Sequence, residues 1–391
     1  MQKQLISSRV FGLKPSTIRN IVRKVNQLKS KGIDVIDFSI GRPFFETPLS
    51  IKEKTKEALD NGMVHYSESI GILELRKAIS QRMLIDKGIK YDVDEIVVTV
   101  GGTESMFITL QTLLSEGDEV IVPSPMYVYY QGWIEYAGAI CVPVALTEGD
   151  FSLDIDAIRN SITSHTKMII LNTPHNPTGT VFSYQELKEI SKLADEHDLL
   201  IVSDEIYQRI VYDGYKAISI ASLPKMKERT IISDSLSKTY AMDGWRIGYI
   251  AAPREIAKHI AKVHQHIVSC HNTFIQYGAI QALTQNQEPV DKMIQNLAKN
   301  KELTINYLKE MKIPFVEPKG AFYVFPSIKQ FNLCSEEFTE YLLNEAHIAV
   351  VPGSAFGNAG EGYIRISFTP YYQDIENGLK KMYMAIKKIA K

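Results

Sequence analysis

Cysteine is scarce in this 391-residue chain: Cys141, Cys270 and Cys334 are the three present, far apart and with no Cys-x-x-Cys pair among them. That excludes a disulfide framework and a cysteine-built structural zinc site, and it fits a reducing cytoplasm. No stretch approaches the run of about 18 apolar residues that a spanning helix needs, which excludes a helical membrane protein. Excess charge is missing too. Lys and Arg number 44 against 45 Asp and Glu, a formal net charge of −1, so nucleic-acid binding through bulk charge is excluded. The chain has no low-complexity tract, no repeat of 20–50 residues and no Gly-Lys pair, so solenoids and P-loop phosphate cradles are set aside. Acidic residues are absent before Asp34, while Lys3, Arg9, Lys14, Arg19, Arg23, Lys24, Lys29 and Lys31 are basic. Such starts can be transit peptides. Here Pro15-Ser16 is followed by Ile18, Ile21, Val22, Val25 and Leu28 at helical spacing, which predicts an amphipathic helix packed on the body.

What is present is the composition of an ordinary globular protein, 45% hydrophobic and 23% charged. In the middle of the chain short apolar runs alternate with helical patterns. Ile96 to Val100 precedes Ser105 to Leu114, Val120 to Pro123 precedes Tyr129 to Ala137, and Met168 to Leu171 precedes Tyr184 to Glu196. Leu199 to Val202, Thr230 to Ile232 and Ile247 to Ala251 continue the rhythm, and Ser183-x-x-Glu186 is a capping box. After about residue 280 the texture becomes a long charged helix, Lys292 to Lys312, then strand-like Phe322 to Phe325, Ala349 to Val351 and Tyr363 to Phe368. The expectation is an α/β fold: a large domain with a mainly parallel sheet flanked by helices, plus a smaller α+β domain. The expected division is 1–45 as an arm and helix belonging to the small domain, 46–281 as the large domain, and 282–391 as the small domain.

In such sheets ligands sit beyond the carboxyl ends of the strands, so the polar residues that follow apolar runs are the candidates for chemistry. Gly101-Gly102-Thr103-Glu104 opens a helix whose free N–H groups could hold a phosphate, although a Gly pair there also makes a tight turn. Asp204-Glu205 ends a strand as in magnesium-holding NTPases, but without the P-loop Asp204 must instead be a structural cap or a carboxylate facing a buried cation. Asn172 to Gly179 is a rigid turn that could aim the Asn176 amide at a ligand. In Ser233 to Gly248, Lys238 sits among hydroxyl residues after a buried strand, with Arg246 just beyond. That arrangement suggests a Schiff-base amine beside an anion site. His259, His264, His266 and His271 are scattered over helix faces and predict no metal site. Gly353-Ser354-Ala355-Phe356-Gly357 carries its serine second rather than third, so it is no nucleophile elbow and is expected to be a loop over the site.

These motifs together resemble the fold-type I pyridoxal-phosphate enzymes, specifically the class I/II aminotransferases of the aspartate and aromatic branch. The match runs from Pro15-Ser16 to the last helix. It rests on Ile40-Gly41-x-Pro43, His65-Tyr66-Ser67 with Gly71-Ile72-x-Glu74-Leu75-Arg76, Asn176-Pro177-Thr178-Gly179, Asp204-Glu205-x-Tyr207, Ser235-x-Ser237-Lys238 and Gly320-Ala321-Phe322-Tyr323, all in order and spacing.

The resemblance implies pyridoxal 5′-phosphate as cofactor, with Lys238 holding it as an internal aldimine and later shuttling the proton between substrate Cα and C4′. It implies that Asp204 pairs with the pyridine nitrogen, that Asn176 and Tyr207 hydrogen-bond the ring 3-oxygen, and that Tyr127 stacks on the ring. Gly102, Thr103, Ser235 and Arg246 would hold the phosphate, with Tyr66 reaching over from the other subunit of a homodimer with shared sites. Arg365 would clamp the substrate α-carboxylate, aided by Gly41 and Asn176. The implied activity is ping-pong transamination between an L-α-amino acid, aspartate, aromatic or similar, and a 2-oxo acid such as 2-oxoglutarate. A C–S β-lyase on the same scaffold is the alternative, because fold and cofactor residues do not fix the fate of the carbanion. A non-enzymatic binding protein fits worse, since Lys238, Asp204, Arg246 and Arg365 are all present and no DNA-binding domain is appended. Arg42 departs from the acidic residue that relatives usually carry after Gly41, and its position near the substrate entrance suggests either a preference for acidic side chains or lost contacts of a partner loop.

Overall fold

The computed structural model describes residues 6–13 and 15–389, so Lys3 and Lys14 of the basic start lie outside the described residues. Seven strands form the main sheet, in the spatial order Ile96–Thr99, Gly248–Ala251, Thr230–Ser235, Leu200–Asp204, Thr166–Asn172, Glu119–Ser124 and Ile140–Ala145. Gly248–Ala251 is antiparallel to both of its neighbours, and the remaining pairings are parallel. The central strands are buried on both faces and rich in Ile and Val, as parallel strands covered by helices must be. Ile140–Ala145 is the exception. It is an edge strand that contains Pro143 and leaves Ile140 about half exposed, so it carries little of the continuous apolar signal that marks the others.

Helix starts follow from local chemistry. Tyr184–Glu196 begins at a full capping box, with Ser183 Oγ accepting from Glu186 N and the Glu186 carboxylate accepting from Ser183 N. The helix Gly101–Leu113 begins earlier than apolar periodicity predicts, because the Glu104 side chain folds back to accept from Val100 N and satisfies an otherwise orphaned donor. The long charged helix spans Glu288–Glu310.

Alongside the main sheet, Tyr323–Val324, Ile364–Ser367 and Val351–Pro352 form a three-stranded antiparallel sheet, and Ile36–Asp37 pairs in parallel with Ile348–Ala349. The largest apolar cluster runs from Ile79 and Val98 beside the main sheet through Phe322 and Tyr323 to Leu297 and Leu379. Ser16 caps the helix Thr17–Ser30, whose Val25 is buried against Val35, Leu343 and Ala349 while Ile18 and Ile21 pack alongside. The other side of this helix, with Arg19 and Val22, faces the cleft described next.

Candidate active site

A cleft of about 480 Å³ opens at the carboxyl ends of the central strands. Gly41, Gly102, Thr103, Tyr127, Asn176, Asp204, Tyr207, Lys238, Arg246 and Arg365 all line it. Residues separated by more than 300 positions in sequence are thus gathered around one volume.

Lys238 lies on the short helix Leu236–Thr239 and points its Nζ at the Gly41 carbonyl, 2.5 Å away. Burial is the main cause that pulls its pKa down, to about 8, with Arg365 and Arg246 assisting and Asp243 and Asp204 opposing. Asp204 ends its strand with one carboxylate oxygen accepting from Tyr130 Oη at 2.5 Å and the other from Ile206 N at 3.3 Å. Burial raises its pKa to about 6 despite these donors, with Asp234 and Glu205 adding to the rise. Among the described residues no Lys or Arg forms an ion pair with it.

Arg365 is 2% exposed. Its guanidinium donates to Asn176 Oδ1 at 3.0 Å and to the Ser39 carbonyl at 2.7 Å, and it lies over the rings of Tyr323 and Phe356 at 4.4 and 5.1 Å. Its Nε is buried without a partner. Such a guanidinium is aimed by its surroundings and retains an unused donor. Tyr207 Oη and Tyr323 Oη are 2.9 Å apart, and burial raises both phenols above their ordinary range.

Arg246 is exposed, with Nη1 donating to the Asp243 carbonyl at 2.9 Å. It packs against the start of the helix Gly101–Leu113. Gly101 has φ of +78°, and a Cβ there would lie 2.6 Å from Arg246 Nη2. Glycine is therefore needed to set the guanidinium beside the free N–H groups of that helix start. Gly41 is likewise fixed by crowding, since a Cβ would lie 2.0 Å from Tyr323 Oη.

This donor set fits a phosphorylated pyridine aldehyde. An unpaired buried carboxylate is available for a ring N–H, a helix start and an arginine for the phosphate, and an amine of lowered pKa for the aldehyde carbon. Comparison with known proteins bears on the reaction. The profile of "Aminotransferase class I and II" matches residues 33–382. The chain belongs to the class I and II aminotransferase family. An aromatic-amino-acid aminotransferase 2 of Thermococcus litoralis is 42% identical over 387 residues, covering 98% of each chain. An aspartate aminotransferase of Pyrococcus abyssi is 43% identical over 381 residues, 96% of this chain and 97% of that one. The solved aspartate aminotransferase of Thermus thermophilus with maleate superposes with a TM-score of 0.94 at 34% identity, over 98% of this chain and 100% of the other. The protein is thus an aminotransferase with the fold-type I architecture.

In this aminotransferase not every candidate converges. Ser235 caps the Lys238 helix, accepting from Ser237 N at 3.2 Å, and sits next to Gly102 rather than on the cleft wall. Tyr66 is 90% exposed and does not reach the cleft of its own chain. Glu104 turns away from the cleft to Val100 N and to His264 Nδ1, 2.9 Å away. His264 is further bonded to the Ser69 carbonyl and His271 to the Arg246 carbonyl. Among the described residues no three His, Cys, Asp or Glu side chains are grouped to hold a metal, and no helix is long and apolar enough to cross a membrane. The segment Gly353–Phe356 is a correction to the sequence expectation. It borders a neighbouring cavity of about 700 Å³ and supports Arg365 from behind through Phe356, rather than covering the cleft. Sequence reasoning missed Tyr130 as the partner of Asp204 and Tyr323 as the neighbour of Tyr207 and Arg365. The conspicuous run Tyr127-x-Tyr129-Tyr130 was the available signal for the former.

Proposed function

We propose that the protein moves an amino group between an L-α-amino acid, aspartate or aromatic in type, and a 2-oxo acid such as 2-oxoglutarate, with pyridoxal 5′-phosphate held in the cleft. The observation that carries this reading is the pairing in one cleft of an amine with its pKa near 8 and a buried carboxyl, near 6, that lacks a cation. When bound, the cofactor supplies an electron sink for the Cα carbanion and stores the amino group between half-reactions.

The chain's own residues do the rest. Asp204 would hold a proton on the pyridine nitrogen, and Tyr130 keeps its carboxylate in place. Asn176 and Tyr207, which line the cleft, would donate to the ring 3-oxygen, and Tyr127 would cover a ring face. Gly102, Thr103, Ser235 and Arg246 receive the phosphate. Arg365, pre-aimed by Asn176 and Ser39, takes the substrate α-carboxylate and so orients the Cα–H bond. With the cofactor bound, Lys238 Nζ would be the group that carries the proton to and from the substrate Cα, a task suited to an amine whose pKa lies near working pH. Tyr66, exposed on its own chain, reaches the phosphate of a second copy in a homodimer with shared sites. Three unpaired cysteines accord with a cytoplasmic protein. Both the family and the relatives are aminotransferases, and no observation favours the lyase.

The test is the visible spectrum of the loaded protein before and after glutamate, alongside Lys238→Ala. Conversion to a pyridoxamine-type band, reversed by an oxo acid and absent in the variant, is the expected result. Release of pyruvate and ammonia from a cysteine S-conjugate, with no such conversion by glutamate, overturns it.

A further inference from the structure

Behind the cleft a second charged cluster is buried that the chemistry above does not use. Lys87, the last residue of the helix Leu73–Lys87, places its Nζ 2.6 Å from Glu205 Oε2 and 3.0 Å from Asp234 Oδ2. The Lys87 and Glu205 side chains are 4% and 1% exposed. Glu205 Oε1 also accepts from Ser203 Oγ at 2.9 Å and Ser219 Oγ at 2.5 Å. Asp234 also accepts from Tyr249 Oη at 2.9 Å and Ser235 N at 2.7 Å. Two carboxylates against one ammonium leave a net charge of −1.

The cluster's place in the chain is what matters. Side chains alternate along a strand, so Glu205 and Asp234 point away from the face on which their neighbours Asp204 and Ser235 act. Asp204 pairs with Ser233 across the two strands, and Glu205 N donates to the Ser233 carbonyl at 2.9 Å. The ammonium therefore staples two strand ends, at Glu205 one residue from Asp204 and at Asp234 four residues from Lys238. A small cavity of about 30 Å³ beside it, with Asp86, Arg82 and Arg209 in its lining, has room for about one water. Tyr91 and Tyr249 beside the cluster's carboxylates, and Tyr240 in the cavity lining, are kept protonated by burial. Asp234 and Glu205 both push the Asp204 pKa upward, and the Lys87 ammonium is ion-paired with both of those carboxylates.

We propose that Lys87 is a positioning residue for the cofactor site: it fixes the spacing of the strand ends that carry Asp204 and Ser235–Lys238, and it sets the charge behind them. This rests on the cofactor reading above.

The test compares wild type, Lys87→Met and Lys87→Met/Glu205→Gln, each loaded with pyridoxal phosphate. The readouts are the pH titration of the visible band and the cofactor dissociation constant from equilibrium dialysis. In Lys87→Met the titration midpoint is expected to rise by about 0.5–1 pH unit, the scale of a unit charge acting over ~10 Å of protein. Cofactor is expected to be held roughly 10-fold more weakly, as when a second-layer partner is lost. The double variant restores the net charge of −1 without the staple, so its midpoint returns while its affinity stays weak. A folded Lys87→Met with both wild-type values overturns the proposal. Should Lys87→Met not fold, wild-type affinity in the double variant does so. A wild-type protein that forms no visible band instead overturns the cofactor reading itself.

Discussion

Two buried lysines, on opposite sides of the same strand ends, titrate in opposite directions. Burial by itself pulls both amines down. At Lys238 nothing reverses it, and the pKa falls to about 8. At Lys87 the charges of Asp234 and Glu205 outweigh burial, and the pKa rises. The contrast extends to the acids. Glu205 and Asp234 have their acceptor positions filled, whereas Asp204 meets a tyrosine and a backbone N–H but no cation. One side of the sheet end is finished structure; the other holds groups left short of a partner, which is how a protein keeps them ready for a ligand.

The sharpest way to break this contrast is at its reactive member. Lys238→Ala should cost at least about 10²–10⁴-fold in the rate of the amino-acid half-reaction while leaving circular dichroism intact; a stopped-flow trace near the wild-type rate would remove Lys238 from the chemistry. Next comes Arg365, the proposed clamp. Arg365→Lys loses the planar fork and should raise KM for every amino acid about 10–100-fold, with a smaller change in kcat. Steady-state kinetics with glutamate and phenylalanine check it, and a large effect on one substrate alone would place Arg365 on a side chain rather than on the shared carboxylate.

The third test concerns Asp204 in the protein without cofactor. Burial holds its folded pKa at about 6, above the ordinary aspartate value of about 4, so ionising it in the fold costs stability that is lost as pH rises from about 4 to 6. Asp204→Asn should therefore stabilise the cofactor-free protein at pH 7 by about 1–3 kcal/mol in urea unfolding, while nearly abolishing turnover. A destabilised variant would mean that the carboxylate is a structural group after all. The smallest effect is expected at Arg42, which is exposed at the cleft with its guanidinium 5.5 Å over the Phe44 ring. Arg42→Ala should raise KM for glutamate and aspartate about 2–5-fold and leave phenylalanine unchanged, the scale of an exposed ion pair. Equal kinetics for all three would sink the idea that Arg42 favours acidic side chains.

Legibility in the sequence followed the same divide. Lys238, Asp204 and Asn176 were visible because each is polar and lies at, or within four residues of, the end of a buried strand. Lys87 was not. A lysine in the last turn of a helix, followed by glycine, looks like a solvated partner of the helix dipole, and only the tertiary fold buries it. Tyr130 was hidden among neighbouring aromatics that have ordinary packing roles. The antiparallel direction of Gly248–Ala251 carries no local signature, since strand direction is decided by the connections and not by the residues. Ile140–Ala145 escaped because an edge strand need not be apolar on both faces.

The uninterrupted apolar cluster from Ile79 through Tyr323 to Leu379 constrains how such a chain can be recombined. A hybrid that takes its carboxyl-terminal third from a relative inherits half of an interdigitated interior, and must repack the aromatic contact between Tyr323 and Arg365. Exchange of specificity between members of this family should therefore succeed more readily through residues on the open cleft wall, such as Arg19 and Arg42, than through exchange of whole segments.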